Sequence, residues 1–310
     1  MEVALICLFF KWRQGIMLVL LKISGMRTFD GKSNFNNIIA VMLRAILSHM
    51  KYFLPLLILL LSTVAMAQPK APASLKVMSY NIHHANPPSK PGFIDLDAIA
   101  RVIRREKPHL VALQEVDVNT GRSGRLNQAA ELARKLRMNF VFAKAIDYDG
   151  GEYGLAILSK YPLSETVIHQ LPTDSASKGE PRILLTGKIN LPGGREIRFG
   201  NTHLDSETDS LNRHMQINEI NRISQKETLP FILAGDLNAD PGTGVIRTLD
   251  SQFKRTCEPC QFTYPAVNPQ KAIDFIAVKS RTRMQIISHR VLNESYASDH
   301  LPIAAVLKLH

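Results

Sequence analysis

The feature that most constrains this chain is a recurring unit: a short apolar run that ends in an acid, an amide or a histidine. Leu75 to Tyr80 delivers Asn81, and His109 to Gln114 delivers Glu115. Ile197 to Asn201 leads to His203, Phe231 to Ala234 leads to Asp236, and the run Ile273 to Val278 holds Asp274 at its start. Short runs of this kind, bounded by Gly, Pro, Asn and Asp, read as buried strands. The strands bury and their polar ends stay at a rim, so the functional chemistry of such a chain is expected at strand ends and in the loops that follow.

Helices alternate with the early strands. Asp95 caps a helix whose Leu96, Ile99, Val102 and Ile103 share one face and which Pro108 stops; Asn127 to Arg137 is a second helix, and about Ser210 to Lys226 a third. Further strands are expected at Phe140 to Phe142, Leu155 to Ser159 and Val167 to Ile168. Ile183 to Ile189 and Ile197 to Asn201 flank Leu191-Pro192-Gly193-Gly194 and read as a β-hairpin. The last third adds Ile273 to Val278, Met284 to Val291 and Ile303 to Lys308. No repeat or linker divides this part, which predicts one α/β (α+β) domain of two sheets packed face to face with helices outside.

The N-terminal part reads differently. Met50-Lys51-Tyr52-Phe53, the apolar run Leu54 to Val64 and Ala65-Met66-Ala67 have the positive start, apolar centre and small-residue cleavage site of a secretory signal peptide over residues 50–67, cut after Ala67. The run falls short of the roughly 20 residues of a membrane-spanning helix, and residue 68 is Gln rather than the Cys of a lipoprotein. Residues 1–49 then read as an upstream extension from a wrong start or as an atypical leader, with 68–310 as the mature, secreted or periplasmic domain. Without the seven Lys/Arg and two Asp/Glu of residues 1–67 the net charge falls from +11 to +6. That balance suits a polyanion or an anionic lipid surface, and equally an ordinary soluble protein. Cys257 and Cys260, the two cysteines left, have no second pair to build a zinc site; in an oxidising compartment they predict a local disulfide.

Six short motifs carry the chemistry: Ser79-Tyr80-Asn81-Ile82-His83, Leu113-Gln114-Glu115-Val116, Asn201-Thr202-His203-Leu204-Asp205, Gly235-Asp236-Leu237-Asn238, Ile273-Asp274-Phe275-Ile276 and Asp299-His300-Leu301-Pro302. In this order they resemble the endonuclease/exonuclease/phosphatase superfamily, the DNase I-like hydrolases of phosphate esters, in a secreted bacterial-type form. The resemblance covers roughly residues 75 to 308. It implies a four-layer sandwich, two mixed β-sheets flanked by helices.

It also implies roles. Glu115 would be the principal ligand of one hard cation, Mg²⁺ or alternatively Mn²⁺, with Asn81 and Asp299 completing or orienting the shell. Asp274 would accept from one ring nitrogen of His300 and fix its tautomer. Asp236 and Asn238, two apart, would share a side if the strand stayed extended, Asp236 orienting or deprotonating water and Asn238 donating to a phosphoryl oxygen. The general base is left open between Asp236 and the histidines. His203 would donate to phosphate or leaving group, and Glu152 is either its supporting acid or a turn glutamate. Arg182 is either a cation of the anion pocket or a surface arginine, and His83 and His84 could line the rim.

Hydrolysis of a phosphate ester needs positive charge on the non-bridging oxygens, an oriented water and help for the leaving oxygen, and this residue set offers each. The expected function is therefore an exported, metal-dependent phosphoester hydrolase, a phosphodiesterase acting on nucleic acid or a phospholipid headgroup, or alternatively a sugar or inositol phosphate phosphatase. No stripe of aromatic residues alternates with Lys and Arg, so no base-stacking platform for single strands is indicated. A secreted binding module without catalysis, and a thiol-disulfide protein using Cys257 and Cys260, are the readings from other classes. No obligate protein partner is indicated, and a monomer is expected.

Overall fold

A computed structural model describes residues 4–12, 15–23, 44, 47, 74–280 and 282–310. The chain divides into two units, Met1–Ala67 and Gln68–His310. In the first, β1 (Ala4–Trp12) and β2 (Gly15–Ile23) pair as an antiparallel hairpin. The signal-peptide reading of residues 50–67 lies outside the described residues.

The second unit holds two six-stranded mixed sheets. One contains β3 (Leu75–Asn81), β4 (Leu110–Val118), β5 (Asn139–Tyr148), β6 (Gly151–Ser159), β13 (Met284–Val291) and β14 (Ile303–Leu309), in the order β13-β14-β3-β4-β6-β5. The other contains β7 (Leu163–Gln170), β8 (Ile183–Leu191), β9 (Arg195–His203), β10 (Phe231–Asp236), β11 (Phe253–Arg255) and β12 (Asp274–Lys279), in the order β11-β12-β10-β9-β8-β7. Each sheet has one parallel pair near its middle, β3 with β4 and β10 with β9.

Alternation along the strands sorts the side chains into three apolar layers. Leu75 and Val77 of β3, Leu110 and Ala112 of β4, Ile197 and Phe199 of β9, Ile232 and Ala234 of β10, and Ile276 and Val278 of β12 meet between the sheets. Met78, Tyr80, Val111 and Leu113 face the other way, onto α1 (Leu96–Glu106) and α2 (Gln128–Leu136), through Ile99, Val102, Ile103 and Leu132. Phe231, Leu233, Phe275 and Ala277 pack on α3 (Leu211–Lys226) and α4 (Gly244–Asp250), through Ile217, Ile220, Ile246 and Leu249. The result is the four-layer sandwich, helix, sheet, sheet, helix, of the DNase I-like fold.

The helix ends follow their residues. Asp95 accepts from the Ala98 N–H (2.8 Å) and Asn127 from the Ala130 N–H (2.9 Å), while Lys107 and Arg137 close α1 and α2 in left-handed conformation. The sequence reading differs in detail. β5 runs well beyond Phe140 to Phe142, and α4 and β11 were not expected. Cys257 and Cys260 form the predicted disulfide.

Candidate active site

The inner-facing positions of the central strands carry the site. On β3 the inner series Leu75, Val77 ends at Asn81; on β10 Ile232, Ala234 ends at Asp236; on β9 Ile197, Phe199 ends at His203; on β12 Val278, Ile276 ends at Asp274. Register places Asp236 between its neighbours, opposite His203 on one side and Asp274 on the other. Where the apolar layer between the sheets runs out, these polar side chains meet across the gap. The amide nitrogen of Asn81 donates to Asp236 Oδ2 (3.1 Å) and to Glu115 Oε1 (2.9 Å). Its amide oxygen accepts from the His83 N–H (3.1 Å), so Asn81 orients both acids.

Glu115 reaches the site by a different route. Alternation sends Gln114 inward and Glu115 toward the helices, and Glu115 was expected at the mouth of its strand. It lies inside β4, at a bulge where the register to β6 shifts between Leu113 and Val116. Its φ of 57° is left-handed, and the extra residue turns its carboxylate toward Asn81. Val116 resumes the packing against the helices. Gly154 of β6 pairs with Val116 just past this bulge, and on its other side a Cβ there would overlap the Ala143 carbonyl of β5. Beneath the bulge Asn201 of β9 spans the sheets, donating to the carbonyls of Leu113 (2.8 Å) and Ala156 (2.9 Å) and accepting from Gln114 Nε2 (2.7 Å).

The two histidines sit in opposite electrical surroundings. His300 Nδ1 lies 2.9 Å from Asp274 Oδ2, and its Nε2 lies 3.6 Å from Asp236 Oδ2. Burial opposes its protonation, yet Asp274 and Asp236 outweigh it and raise its pKa to about 10. His203 is pushed well below the ordinary range, by burial first and by Arg182 next. An arginine N–H can only donate, so the 3.5 Å contact from Arg182 Nη1 makes His203 Nδ1 the acceptor and leaves the proton on Nε2, 3.6 Å from Asp236 Oδ2. Burial and the neighbouring Asp274 raise Asp236 to about 7. Glu115 is also raised, by burial and then by Asp299, against the lowering bond from Asn81.

A cleft of ≈ 580 Å³ opens over this centre, lined by Glu115, Arg182, His203, Asp236, Asn238, Asp299 and His300. Asn238 is in place, but extension does not continue to it. With φ 47° its backbone turns, its N–H donates to Asp236 Oδ1 (2.9 Å), and its Nδ2 donates to the Leu204 carbonyl (3.0 Å). The Asp236–Asn238 spacing therefore works as a local turn that braces the carboxylate. Glu152 is not brought in; it lines a separate shallow recess with Asp147, Tyr148 and Asp149, and His203 leans on Arg182 instead. Arg182 is buried, 4% exposed, and paired with Glu180 at 3.3 Å. Sequence reasoning missed Tyr153, Lys271 and Tyr264, which also line the cleft, the last with its ring 4.8 Å from that of His300. Tyr153 adjoins Glu152, and strand alternation was the signal that could have chosen it instead.

The donor chemistry suits a divalent cation. Glu115 and Asp236 crowd one amide nitrogen, Asp299 stands at the rim, and Asp274 Oδ1 is buried with no hydrogen-bond partner among the described residues. Ligand atoms of Asp236, Asp274 and His300 lie within 4.8 Å of one another, a set that could coordinate such an ion.

Comparison with known proteins agrees with this geometry. The profile of the Endonuclease/Exonuclease/phosphatase family matches residues 78–300. The Escherichia coli (strain K12) protein called "Uncharacterized protein YbhP" is 26% identical over 253 residues, covering 76% of this chain and 97% of its own. Two solved structures share the fold. The endonuclease/exonuclease/phosphatase from Beutenbergia cavernae has a TM-score of 0.62 at 24% identity, over 77% of this chain and 72% of its own. The mannosyl-6-phosphatase of Bacteroides thetaiotaomicron has a TM-score of 0.62 at 21% identity, over 75% and 99%. With most of its length matched by the family profile and the acids and histidines gathered at one rim of the sandwich, the chain belongs to the Endonuclease/Exonuclease/phosphatase family, with that family's general phosphoesterase activity.

Proposed function

We propose that the protein is an exported hydrolase of phosphate esters that works with one Mg²⁺, held by Glu115 with Asp299 and oriented by Asn81. The observation that carries this reading is the clasp of Glu115 and Asp236 by one Asn81 amide beside the Asp274–His300 pair. When bound, the ion supplies positive charge to the phosphoryl oxygens. The protein's own groups divide the proton work. Asp236, raised to about 7, is the general base that takes a proton from the attacking water. His300, held protonated by Asp274, donates from Nε2 to a phosphoryl oxygen. His203, neutral with its N–H on Nε2, hydrogen-bonds the leaving oxygen, which takes its proton from solvent, and Arg182 and Asn238 border the phosphate.

Of the substrates the sequence leaves open, the cleft favours compact, hydroxyl-bearing esters: sugar or inositol phosphates and polyol headgroups. Glu180, Glu207 and Asp240 share its walls with Arg182, Arg213 and Lys271, so the cleft is not the one-sign basic groove that tracks a polyanion. Their carboxylates are acceptors for hydroxyl groups. Export rests on the sequence of residues 50–67, and N-terminal sequencing of the mature protein tests it. The test of function is phosphate or alcohol release from a panel of diesters, sugar phosphates and oligonucleotides, with and without Mg²⁺. Turnover of sugar or polyol esters well above that of oligonucleotides is expected; preference for oligonucleotides would reject the substrate reading.

A further inference from the structure

The turn that follows β3 carries a second set of metal donors. His83, His84 and Ala85 have φ of 46°, 42° and 59°, three consecutive non-glycine residues in left-handed conformation. L-residues avoid this conformation because it brings Cβ against the following carbonyl oxygen. The turn is fixed at both ends: the His83 N–H donates to Asn81 Oδ1, and the His84 carbonyl accepts from Gln128 Nε2 (2.6 Å). Strain held this firmly, next to a catalytic rim, points to a use for the two side chains it presents.

Those side chains are two imidazoles, with ring centroids 4.5 Å apart. One ring nitrogen of each and one carboxylate oxygen of Glu115 all lie within 4.8 Å of one another. His83 Nδ1 lies 3.0 Å from the Asn86 carbonyl, which can only accept, so Nδ1 carries the proton and Nε2 keeps its lone pair. This is the way a backbone carbonyl sets the tautomer of a metal-binding histidine. Among the described residues His84 Nδ1 is buried with no hydrogen-bond partner.

We propose that His83, His84 and Glu115 form a site for a divalent transition ion of the zinc type, distinct in donors from the oxygen-rich Mg²⁺ centre and sharing Glu115 with it. Two imidazoles and one carboxylate match the ligand set of open, three-ligand zinc sites, whereas Mg²⁺ prefers oxygen and retains water. An ion there draws on the same carboxylate as Mg²⁺, so zinc competes with Mg²⁺ and lowers Mg²⁺-supported turnover; this consequence rests on the function proposed above.

The test is titration of the metal-free protein with Co²⁺, followed by its visible ligand-field absorption, and with Zn²⁺ by calorimetry. The variants are H83Q, H84Q and, for the neighbouring cluster, H300Q. His83 is 30% exposed and its replacement leaves the core intact, and circular dichroism verifies the fold of each variant. Affinity for Co²⁺ and Zn²⁺ falls about tenfold or more in both H83Q and H84Q and is retained in H300Q. Unchanged affinity in H83Q and H84Q would overturn the proposal, as would loss confined to H300Q, which would put the ion among Asp236, Asp274 and His300. Because binding is read without substrate, absence of phosphoester turnover would reject the proposed function and leave this result standing.

Discussion

Asn201→Ala removes a side chain that ties the two sheets together beneath the Glu115 bulge. Asn201 is fully buried, and its amide serves the carbonyls of Leu113 and Ala156 and the side chain of Gln114. Truncation strips a partner from each of these three buried groups and leaves a void between the sheets. Each of these three lost bonds costs about 1–2 kcal/mol, so the loss is about 3–6 kcal/mol, a large share of the roughly 5–15 kcal/mol that hold a domain folded. Asn201→Asp keeps the volume but turns a charged oxygen toward two carbonyl oxygens, and is expected to be at least as damaging. Urea unfolding followed by far-UV circular dichroism measures the stability, and calorimetry on the folded fraction measures Mg²⁺ affinity. A folded N201A with a stability change under about 1 kcal/mol and unaltered Mg²⁺ affinity would refute the view that this amide holds the bulge.

Asp274→Asn removes the charge that sustains the His300 imidazolium. Turnover should fall about 10²–10⁴-fold, and the alkaline limb of the pH–rate profile should move to lower pH because His300 then loses its proton more readily; an unmoved limb would separate Asp274 from His300 function. His289, lowered to about 4 by burial, contributes stability that is present above its unfolded value of about 6.5 and lost as pH falls toward 4. Melting temperatures should drop less across that window in H289Q than in wild type. The Cys257–Cys260 bridge closes a loop of sequence separation 3, so C257S/C260S should cost about 2 kcal/mol or less in urea unfolding and leave turnover largely intact. Loss of activity in that variant would instead favour thiol chemistry.

How much of this was legible in the sequence depends on whether a residue obeys its strand. Asn81, His203, Asp236 and Asp274 stand at even spacing from inner core residues of their own strands, so period-two patterning was enough to aim them at one rim. Glu115 breaks that rule. Its placement depends on a bulge and a left-handed φ, and nothing in Leu113-Gln114-Glu115-Val116 announces either. Asn238 fails the extension argument for a similar reason, since its own N–H turns back to Asp236. Glu152 was chosen for its charge at a suitable point along the chain, but alternation gives the cleft to Tyr153. The short helix α4 hid behind Asp240-Pro241-Gly242, which reads as a turn, although Thr243 caps it and Val245, Ile246 and Leu249 bury one face. Asn201 and Gln114 stand in the sequence motifs with no role assigned to them, and only the approach of the second sheet shows what they bind.

The most direct measurement is turnover of bis(p-nitrophenyl) phosphate and of a sugar phosphate by chelator-treated protein before and after Mg²⁺ is restored, in wild type, D236N and H300Q. No turnover without the ion, recovery in wild type, and rates lower by about 10²–10⁴-fold in both folded variants are expected. Turnover that survives the chelator, or that D236N and H300Q carry out at the wild-type rate, would contradict the proposed function.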